Sequence, residues 1–145
     1  GMSVQMAEYV CHAVIRHFRE FDGYEADVAE GKWSYRKPRS RADYPVGILG
    51  LGVLGQRVAQ AVAQFDFPVR GWSRTPHQIP GVTTFAGESE FNDFLAGTRL
   101  NLLFEEWHGA WSPLVEARLI ALAADGALVL ASLRGMRRLA SLPIE

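Results

Sequence analysis

Residues 46–55 read VGILGLGVLG, in which a short apolar run leads directly into three glycines spaced as G-x-G-x-x-G. The run is typical of a buried strand, and apolar residues recur after it at the spacings of three and four that indicate a helix. In a strand–turn–helix unit, Gly50 permits the tight turn and Gly52 lets the backbone approach a pyrophosphate. Gly55 lets the helix pack closely on the strand. The motif therefore predicts a dinucleotide-binding site.

The start of the predicted helix strengthens this interpretation. The backbone N–H groups of Val53 and Leu54 would point at the phosphates, and the positive end of the helix dipole would favour their negative charge. Glycines also cluster in turns by chance, so the alternative is a glycine-rich turn that binds nothing. The flanking strand and helix favour dinucleotide binding over that alternative.

Four residues at the end of the second predicted strand bear on the choice of dinucleotide, namely Trp72, Ser73, Arg74 and Thr75. In an NAD site, an acidic residue about 20 residues after the glycines accepts hydrogen bonds from the ribose 2′-hydroxyl. No acidic residue occurs between Asp66 and Glu88, and Asp66 precedes the strand, at the wrong end for that role. An arginine beside hydroxyl groups suits a 2′-phosphate, because guanidinium makes forked hydrogen bonds to phosphate oxygens. We therefore predict NADP as the cofactor, with NAD less favoured; the alternative for Arg74 is an exposed side chain in a turn.

Short apolar runs alternate with helical patterns across residues 45–133, as they do in βαβ units. The predicted strands cover residues 46–49, 68–72, 82–85, 99–104 and 127–132, and the predicted helices cover residues 54–65, 88–95 and 114–124. The pattern predicts an α/β fold of the Rossmann type, a doubly wound parallel sheet with helices on both faces. We expect about five strands, in the order 3-2-1-4-5.

The N-terminal segment, residues 3–21, has the pattern of an amphipathic helix. Its apolar stripe comprises Met6, Val10, Val14, Phe18 and Phe21. Three further apolar residues, Tyr9, Cys11 and Ile15, lie off that stripe and give the helix a second apolar face. A helix of this kind usually packs against two surfaces, so we predict that residues 3–21 form the contact of a homodimer.

Residues 22–44 are polar and rich in turn-forming residues, which predicts a solvated connector with a few aromatic anchors. Basic side chains alternate there with Trp33, Tyr35 and Tyr44, a combination that nucleic-acid-binding segments also use. Four acidic residues lie close by and largely cancel the positive charge: Asp22, Glu25, Asp27 and Glu30. We therefore expect no nucleic-acid partner.

The composition limits the class of protein. A chain of 145 residues with a mass of 16.1 kDa fits one domain. Fifteen Lys and Arg against sixteen Asp and Glu give a net charge of −1, so no overall field draws the protein to nucleic acid or to a membrane. Cys11 is the only cysteine, and we expect neither a disulfide nor a metal site. The sequence shows no apolar run of about 20 residues and no signal-peptide pattern, so we expect a cytoplasmic protein.

An ordered set of segments resembles the D-2-hydroxyacid dehydrogenase family, and most closely its glyoxylate/hydroxypyruvate reductase branch. The segments are MAEYV at residues 6–10, VGILGLGVLG at 46–55, PVRGWSRTP at 68–76, PGV at 80–82 and FAG at 85–87. The resemblance is dense from Met6 to about Thr98 and thinner beyond. It implies the reduction of 2-keto acids such as glyoxylate with NAD(P)H. It also implies that the helix carrying MAEYV is a subunit contact.

The resemblance extends to one catalytic residue of the family. Arg134, in the segment ASLRG, is similar to the family's arginine that holds the substrate carboxylate, although Leu133 replaces the usual small residue. The family's general-acid His and its orienting Glu lie well beyond that motif and have no counterpart in these 145 residues. The histidines of this sequence all precede Arg134 and match no catalytic position: His12, His17, His77 and His108. We expect His77 in a surface loop.

Residues 105–110, EEWHGA, stand where the family carries a Pro-x-Thr-Pro-like loop beside the nicotinamide. Two carboxylates and an imidazole could form an acid/base or metal cluster, but a diverged solvent loop is the simpler interpretation. We therefore predict the cofactor-binding domain of a 2-hydroxyacid oxidoreductase without a complete catalytic site, which alone binds NADPH without turning it over. The alternatives are a non-enzymatic NADP-binding or dimeric interaction module, and a degenerate remnant that binds no ligand.

Overall fold

A computed structural model describes residues 2–98, 100–103 and 128–131 of the chain. Within those residues the helices are α1 (Met2–Phe18), α2 (Phe21–Ala29), α3 (Val53–Ala63) and α4 (Gly87–Ala96), with a 3-10 turn at Arg41–Asp43. The strands are β1 (Val46–Leu49), β2 (Val69–Ser73), β3 (Val82–Ala86), β4 (Leu100–Leu103) and β5 (Leu128–Ala131). None of these described helices is long and apolar enough to cross a membrane.

The described strands form one parallel sheet in the order β3-β2-β1-β4-β5. β1 pairs with β2, where Val46 lies opposite Val69, and with β4, where Val46 lies opposite Leu100. Because both of its edges are paired, β1 lies inside the sheet, and its four residues are all buried. The parallel sheet with its helices confirms the predicted α/β class.

Helices cover both faces of the sheet. On one face, α1 and α3 pack on the sheet and share a core of buried apolar side chains, which includes Val10, Val14, Phe18, Ile48, Val58 and Val69. On the other face, α4 places Phe91 against Trp72 in an edge-to-face contact, with ring centroids 5.2 Å apart. Side chains alternate along a strand, so Val69 and Trp72 of β2 face opposite sides.

The N-terminal region departs from the prediction. α1 ends at Phe18, Glu20 takes the left-handed conformation with φ of 58°, and α2 follows from Phe21. The single helix predicted over residues 3–21 is therefore wrong at its end, and the predicted connector over residues 22–44 contains most of a second helix. No residue of α2 is buried. The segment accordingly lacks the apolar stripe by which a helix is predicted from sequence.

Charged side chains hold α2 in place. Arg16 of α1 donates from Nη1 to Glu25 Oε1 at 2.8 Å. Asp27 accepts hydrogen bonds from Ser34 Oγ at 2.5 Å and from Arg36 Nη2 at 3.2 Å. These bonds lower the pKa of the Glu25 carboxyl, chiefly through Arg16, and the pKa of the Asp27 carboxyl, chiefly through the Ser34 hydroxyl.

Two arginines of the predicted connector close the C-terminal end of α1. Arg39 donates from Nη2 to the carbonyl oxygens of His17 and Phe18, at 2.7 and 2.6 Å, where helix carbonyls lack partners within the helix. The Arg39 guanidinium also lies 4.5 Å from the centroid of the Tyr44 ring, and the Arg41 guanidinium lies 5.1 Å from that of Phe18. These two basic side chains therefore serve the packing of the chain itself.

The prediction that aromatic side chains anchor the connector is wrong for Trp33 and Tyr35 and is confirmed for Tyr44. Trp33 and Tyr35 expose 94% and 74% of their surfaces. Tyr44 is buried, and its ring centroid lies 5.1 Å from that of Phe18. Tyr44 comes two residues before β1, where the core can receive it, whereas Trp33 and Tyr35 lie farther from the sheet along the chain.

The second apolar face of α1 is smaller than predicted. Cys11 and Ile15 are partly buried against the chain's own core, and burial raises the pKa of the Cys11 thiol. Tyr9 remains 47% exposed. Of the three residues assigned to this second face, Tyr9 alone therefore points largely away from the core.

Candidate functional site

The glycine turn joins β1 to α3 at the carboxyl end of the sheet. Gly50 has a φ of 109°, which glycine adopts without strain, and its N–H donates to the carbonyl of Trp72 at 2.8 Å. A Cβ added at Gly55 would lie 1.8 Å from the carbonyl oxygen of Gly50. The start of α3 therefore packs so closely on the turn that no side chain fits at Gly55.

Gly52 has the opposite environment. A Cβ added there would meet no atom within 4 Å, so the space beside the turn is open. Gly52 is the N-cap of α3 and gives no side-chain hydrogen bond to the first helical turn, whose N–H groups lack partners within the helix. Val53 is 87% exposed, and Leu54 is half-buried. Open space in front of uncapped N–H donors fits an anionic pyrophosphate.

Two residues that the motif does not contain hold the turn in place. The Leu51 side chain packs over Gly71 of β2, where an added Cβ would lie 2.6 Å from Leu51 Cδ2. Gln56 donates from Nε2 to the carbonyl of Leu51 at 2.9 Å. A glycine inside a strand often marks the close approach of another segment, so Gly71 carries a signal in the sequence. Nothing in the sequence singles out Gln56.

The chain leaves β2 next to the glycine turn, because Leu49 lies opposite Trp72 in the register of β1 and β2. Trp72 is buried, and its indole N–H donates to the carbonyl of Gly87 at 2.8 Å, at the start of α4. Ser73 is also buried, and its hydroxyl donates to the carbonyl of Thr75. Trp72 and Ser73 therefore shape this turn.

The structure brings the predicted cofactor residues to one edge of the sheet: Gly50, Gly52, Val53, Leu54, Gly55, Trp72, Ser73, Arg74 and Thr75. Arg74 and Thr75 are exposed there. Asp66, with a φ of 65°, lies in the turn before β2 and hence at the opposite edge. Ligands of parallel α/β sheets bind outside the carboxyl ends of the strands, which is where the glycine turn and Arg74 lie.

His77 also lies in the turn that follows β2, and the sequence did not indicate that it contacts the predicted cofactor residues. Expected in a surface loop, it is half-buried, and its Nδ1 lies 2.9 Å from both Ser73 Oγ and the carbonyl oxygen of Thr75. Thr84 of β3 donates from Oγ1 to the carbonyl of His77 at 2.8 Å. Residues 73–77 are therefore a hydrogen-bonded turn that is tied to the neighbouring strand.

Two predicted parts of the site, Arg134 and the loop at residues 105–110, lie outside the described residues. In the part of the chain that the structure describes, no group of three or more His, Cys, Asp and Glu side chains could hold a metal ion.

The family model for the D-isomer specific 2-hydroxyacid dehydrogenase, NAD binding domain, matches residues 11–136. The chain belongs to this family. The resemblance found in the sequence is thereby confirmed. Glyoxylate/hydroxypyruvate reductase A of Yersinia enterocolitica is 49% identical over 105 residues, which are 71% of this chain and 34% of that protein. The protein of the same name from Serratia proteamaculans is 38% identical over 135 residues, which are 93% of this chain and 43% of that protein. This family member therefore spans less than half the length of these curated relatives.

Solved structures of proteins named as 2-hydroxyacid dehydrogenases or glyoxylate/hydroxypyruvate reductases are also similar to this chain. A D-isomer specific 2-hydroxyacid dehydrogenase from Xanthobacter autotrophicus Py2, in complex with NADPH and MES, is 37% identical with a TM-score of 0.76. The match covers 90% of this chain and 54% of that one. An NADPH-dependent glyoxylate/hydroxypyruvate reductase from Sinorhizobium meliloti, in complex with NADP and sulfate, is 32% identical with a TM-score of 0.68. That match covers 77% of this chain and 34% of the other.

Proposed function

We propose that this chain binds NADP(H) as the cofactor-binding domain of an oxidoreductase that reduces small 2-keto acids, of the glyoxylate/hydroxypyruvate reductase type. The observation that carries the proposal is the open, uncapped glycine turn beside a basic turn without an acidic residue. Relatives named as glyoxylate/hydroxypyruvate reductases and a relative bound to NADPH support it. A doubly wound domain with the strand order 3-2-1-4-5 is the architecture that we propose for this function, and the order of the described strands agrees with it.

Each part of the edge has a separate task in this proposal. The backbone N–H groups of Val53 and Leu54 hold the pyrophosphate, and close packing at Gly55 fixes the helix that presents them. Arg74 and Thr75 hold the 2′-phosphate on the turn that Ser73 shapes. NADPH, when bound, supplies the hydride, and Arg134 orients the keto acid through its carboxylate.

The preference for NADP over NAD follows from charge. A ribose 2′-hydroxyl needs an acceptor at the end of β2, and no carboxylate occurs between Asp66 and Glu88. A 2′-phosphate needs donors and positive charge, which the exposed Arg74 provides. NADP is therefore the cofactor that this edge suits.

Replacing Arg74 with alanine tests this assignment. We expect the affinity for NADPH to fall about tenfold to a hundredfold, because a charge-assisted hydrogen bond contributes roughly 1.5–3 kcal/mol, while the affinity for NADH stays nearly unchanged. Isothermal titration of both cofactors measures the two effects. Arg19→Ala, at an exposed arginine of the N-terminal segment, is the matched control and should leave both affinities unchanged. An equal loss of affinity for NADPH and NADH in Arg74→Ala would show that Arg74 does not bind the 2′-phosphate.

We also propose that the outward face of α1 forms a homodimer contact. Tyr9 is exposed in the centre of α1, and the family resemblance gives this helix a subunit-contact role. Val10, beside it in the sequence, is 1% exposed and belongs to the chain's own core, so it cannot contribute to such a contact.

Tyr9→Asp is therefore the variant that tests the dimer. Sedimentation analysis should show a dimer for the wild type and a monomer for Tyr9→Asp, because an aspartate would be buried without a partner in the contact. Asn92→Asp adds the same charge at an exposed position of α4, on the other face of the sheet, and should remain dimeric. A monomeric wild type at high micromolar concentration would contradict the proposal.

A further inference from the structure

The peptide group between Leu51 and Gly52, inside the glycine turn, has little steric restriction on its orientation. A peptide group turns over through ψ of the residue before it and φ of the residue after it. Glycine adopts positive and negative φ about equally well, so Gly52 offers little resistance to this rotation. Gly52 is also exposed, and no atom lies within 4 Å of the position of an added Cβ. A contact from elsewhere is therefore needed to fix the direction of this peptide group.

Gln56, in the first turns of α3, provides that contact. Its side chain donates from Nε2 to the carbonyl oxygen of Leu51 at 2.9 Å, in a partly buried position. Its backbone N–H donates to the carbonyl oxygen of Gly52, also at 2.9 Å. A carbonyl oxygen can only accept hydrogen bonds, so the side-chain group that faces Leu51 must be the NH2 group of the amide. One residue of α3 thus holds two successive carbonyl groups of the turn.

The direction of the Leu51 carbonyl determines the direction of the Gly52 N–H. The two groups belong to one trans peptide unit and point in opposite directions. While the carbonyl is bonded to Gln56, the N–H of Gly52 therefore points away from Gln56. If the peptide group turned over, the carbonyl oxygen would take the place of the N–H. Backbone N–H groups attract an anion, whereas the partial negative charge of a carbonyl oxygen repels one.

Helix capping does not explain the side chain of Gln56. A capping side chain accepts hydrogen bonds from the first N–H groups of a helix, which lack partners within it. Gln56 instead donates to a carbonyl that precedes α3. The contact therefore leaves the first N–H groups of α3 to a ligand and orients the turn in front of them.

We propose that Gln56 is a positioning residue for dinucleotide binding, which holds the Leu51–Gly52 peptide group so that the Gly52 N–H, and not the Leu51 carbonyl, faces the pyrophosphate. The proposal rests on the proposed function, since it needs the pyrophosphate at the glycine turn. NADPH and NADH share the pyrophosphate, so Gln56 affects the binding of both equally. The preference between the two cofactors is left to Arg74.

Gln56→Met tests the proposal, because methionine is a flexible side chain of similar length without a hydrogen-bond donor. We expect the Kd for NADPH and the Kd for NADH to rise by the same factor of about ten, the effect of one hydrogen bond to a charged group. The affinity for 2′-phosphoadenosine, which carries the 2′-phosphate but no pyrophosphate, should stay unchanged. Isothermal titration measures the two dinucleotides, and nuclear magnetic resonance titration measures the weaker fragment. Gln60→Met, at an exposed position one turn farther along α3, is the matched control and should alter none of the three affinities.

The outcomes separate a positioning role from a structural one. Thermal unfolding checks that Gln56→Met is folded; if it is not, Gln56→Ala replaces it, and failure of both variants to fold would overturn the proposal. No loss of dinucleotide affinity in a folded variant, a loss that differs between NADPH and NADH, or an equal loss for 2′-phosphoadenosine would overturn the role of Gln56 and leave the proposed function intact. A wild-type protein that binds neither dinucleotide would overturn both.

Discussion

Replacing Gly55 with alanine should lower the free energy of unfolding by about 3 kcal/mol or more, the upper part of the range for overpacked sites. The new Cβ would lie 1.8 Å from the Gly50 carbonyl oxygen, which is backbone and cannot rotate away as a side chain could. α3 must therefore move off the glycine turn, and cofactor affinity should be lost together with stability. Thermal or urea unfolding, followed by circular dichroism, measures the change. Unaltered stability of Gly55→Ala would contradict the close packing of α3 described here.

Gly52→Ala, in contrast, should leave the protein folded and remove cofactor binding. Gly52 has a φ of −71°, which alanine adopts readily, and its Cβ would enter open space. Stability should therefore change by no more than about 1 kcal/mol, the size of a change at an N-cap. The same methyl group would occupy the space that we assign to the pyrophosphate, so the affinity for NADPH should fall by about a hundredfold or more. Retained affinity in a folded Gly52→Ala protein would show that the dinucleotide does not approach this turn.

The α/β class and the glycine turn could be predicted because both depend on short-range patterns. Strand β1 is buried on both faces, so it appears as an uninterrupted apolar run before the turn. The different tasks of Gly52 and Gly55 also follow from the motif, because they reflect the distances at which a strand, a turn and a helix can meet.

The N-terminal region could not be predicted in the same way. α2 has no buried residue, and contacts such as Arg16 with Glu25 hold it across a gap of nine residues. A helix without a buried apolar face leaves no apolar periodicity in the sequence, so this pattern cannot predict it. The exposure of Trp33 is a second example, since residue type indicates that burial is favourable but not whether a core is near enough to provide it.

The contacts of His77 depend on the path of one turn. A histidine after a proline in a polar segment resembles an ordinary loop residue. Its bonds to Ser73 and Thr75 exist because the turn folds back on itself and Thr84 of β3 fixes the backbone of His77. Only the structure shows that His77 is half-buried and hydrogen-bonded within this turn.

The proposed function requires that the carboxyl edge of this sheet binds a dinucleotide that carries a 2′-phosphate. Isothermal titration of the wild-type chain with NADPH and with NADH, at the same pH and ionic strength, tests it most directly. We predict one binding site per chain and an affinity for NADPH at least about tenfold higher than for NADH, which corresponds to about 1.4 kcal/mol. No heat of binding with either cofactor, or equal affinity for the two, would contradict the claim.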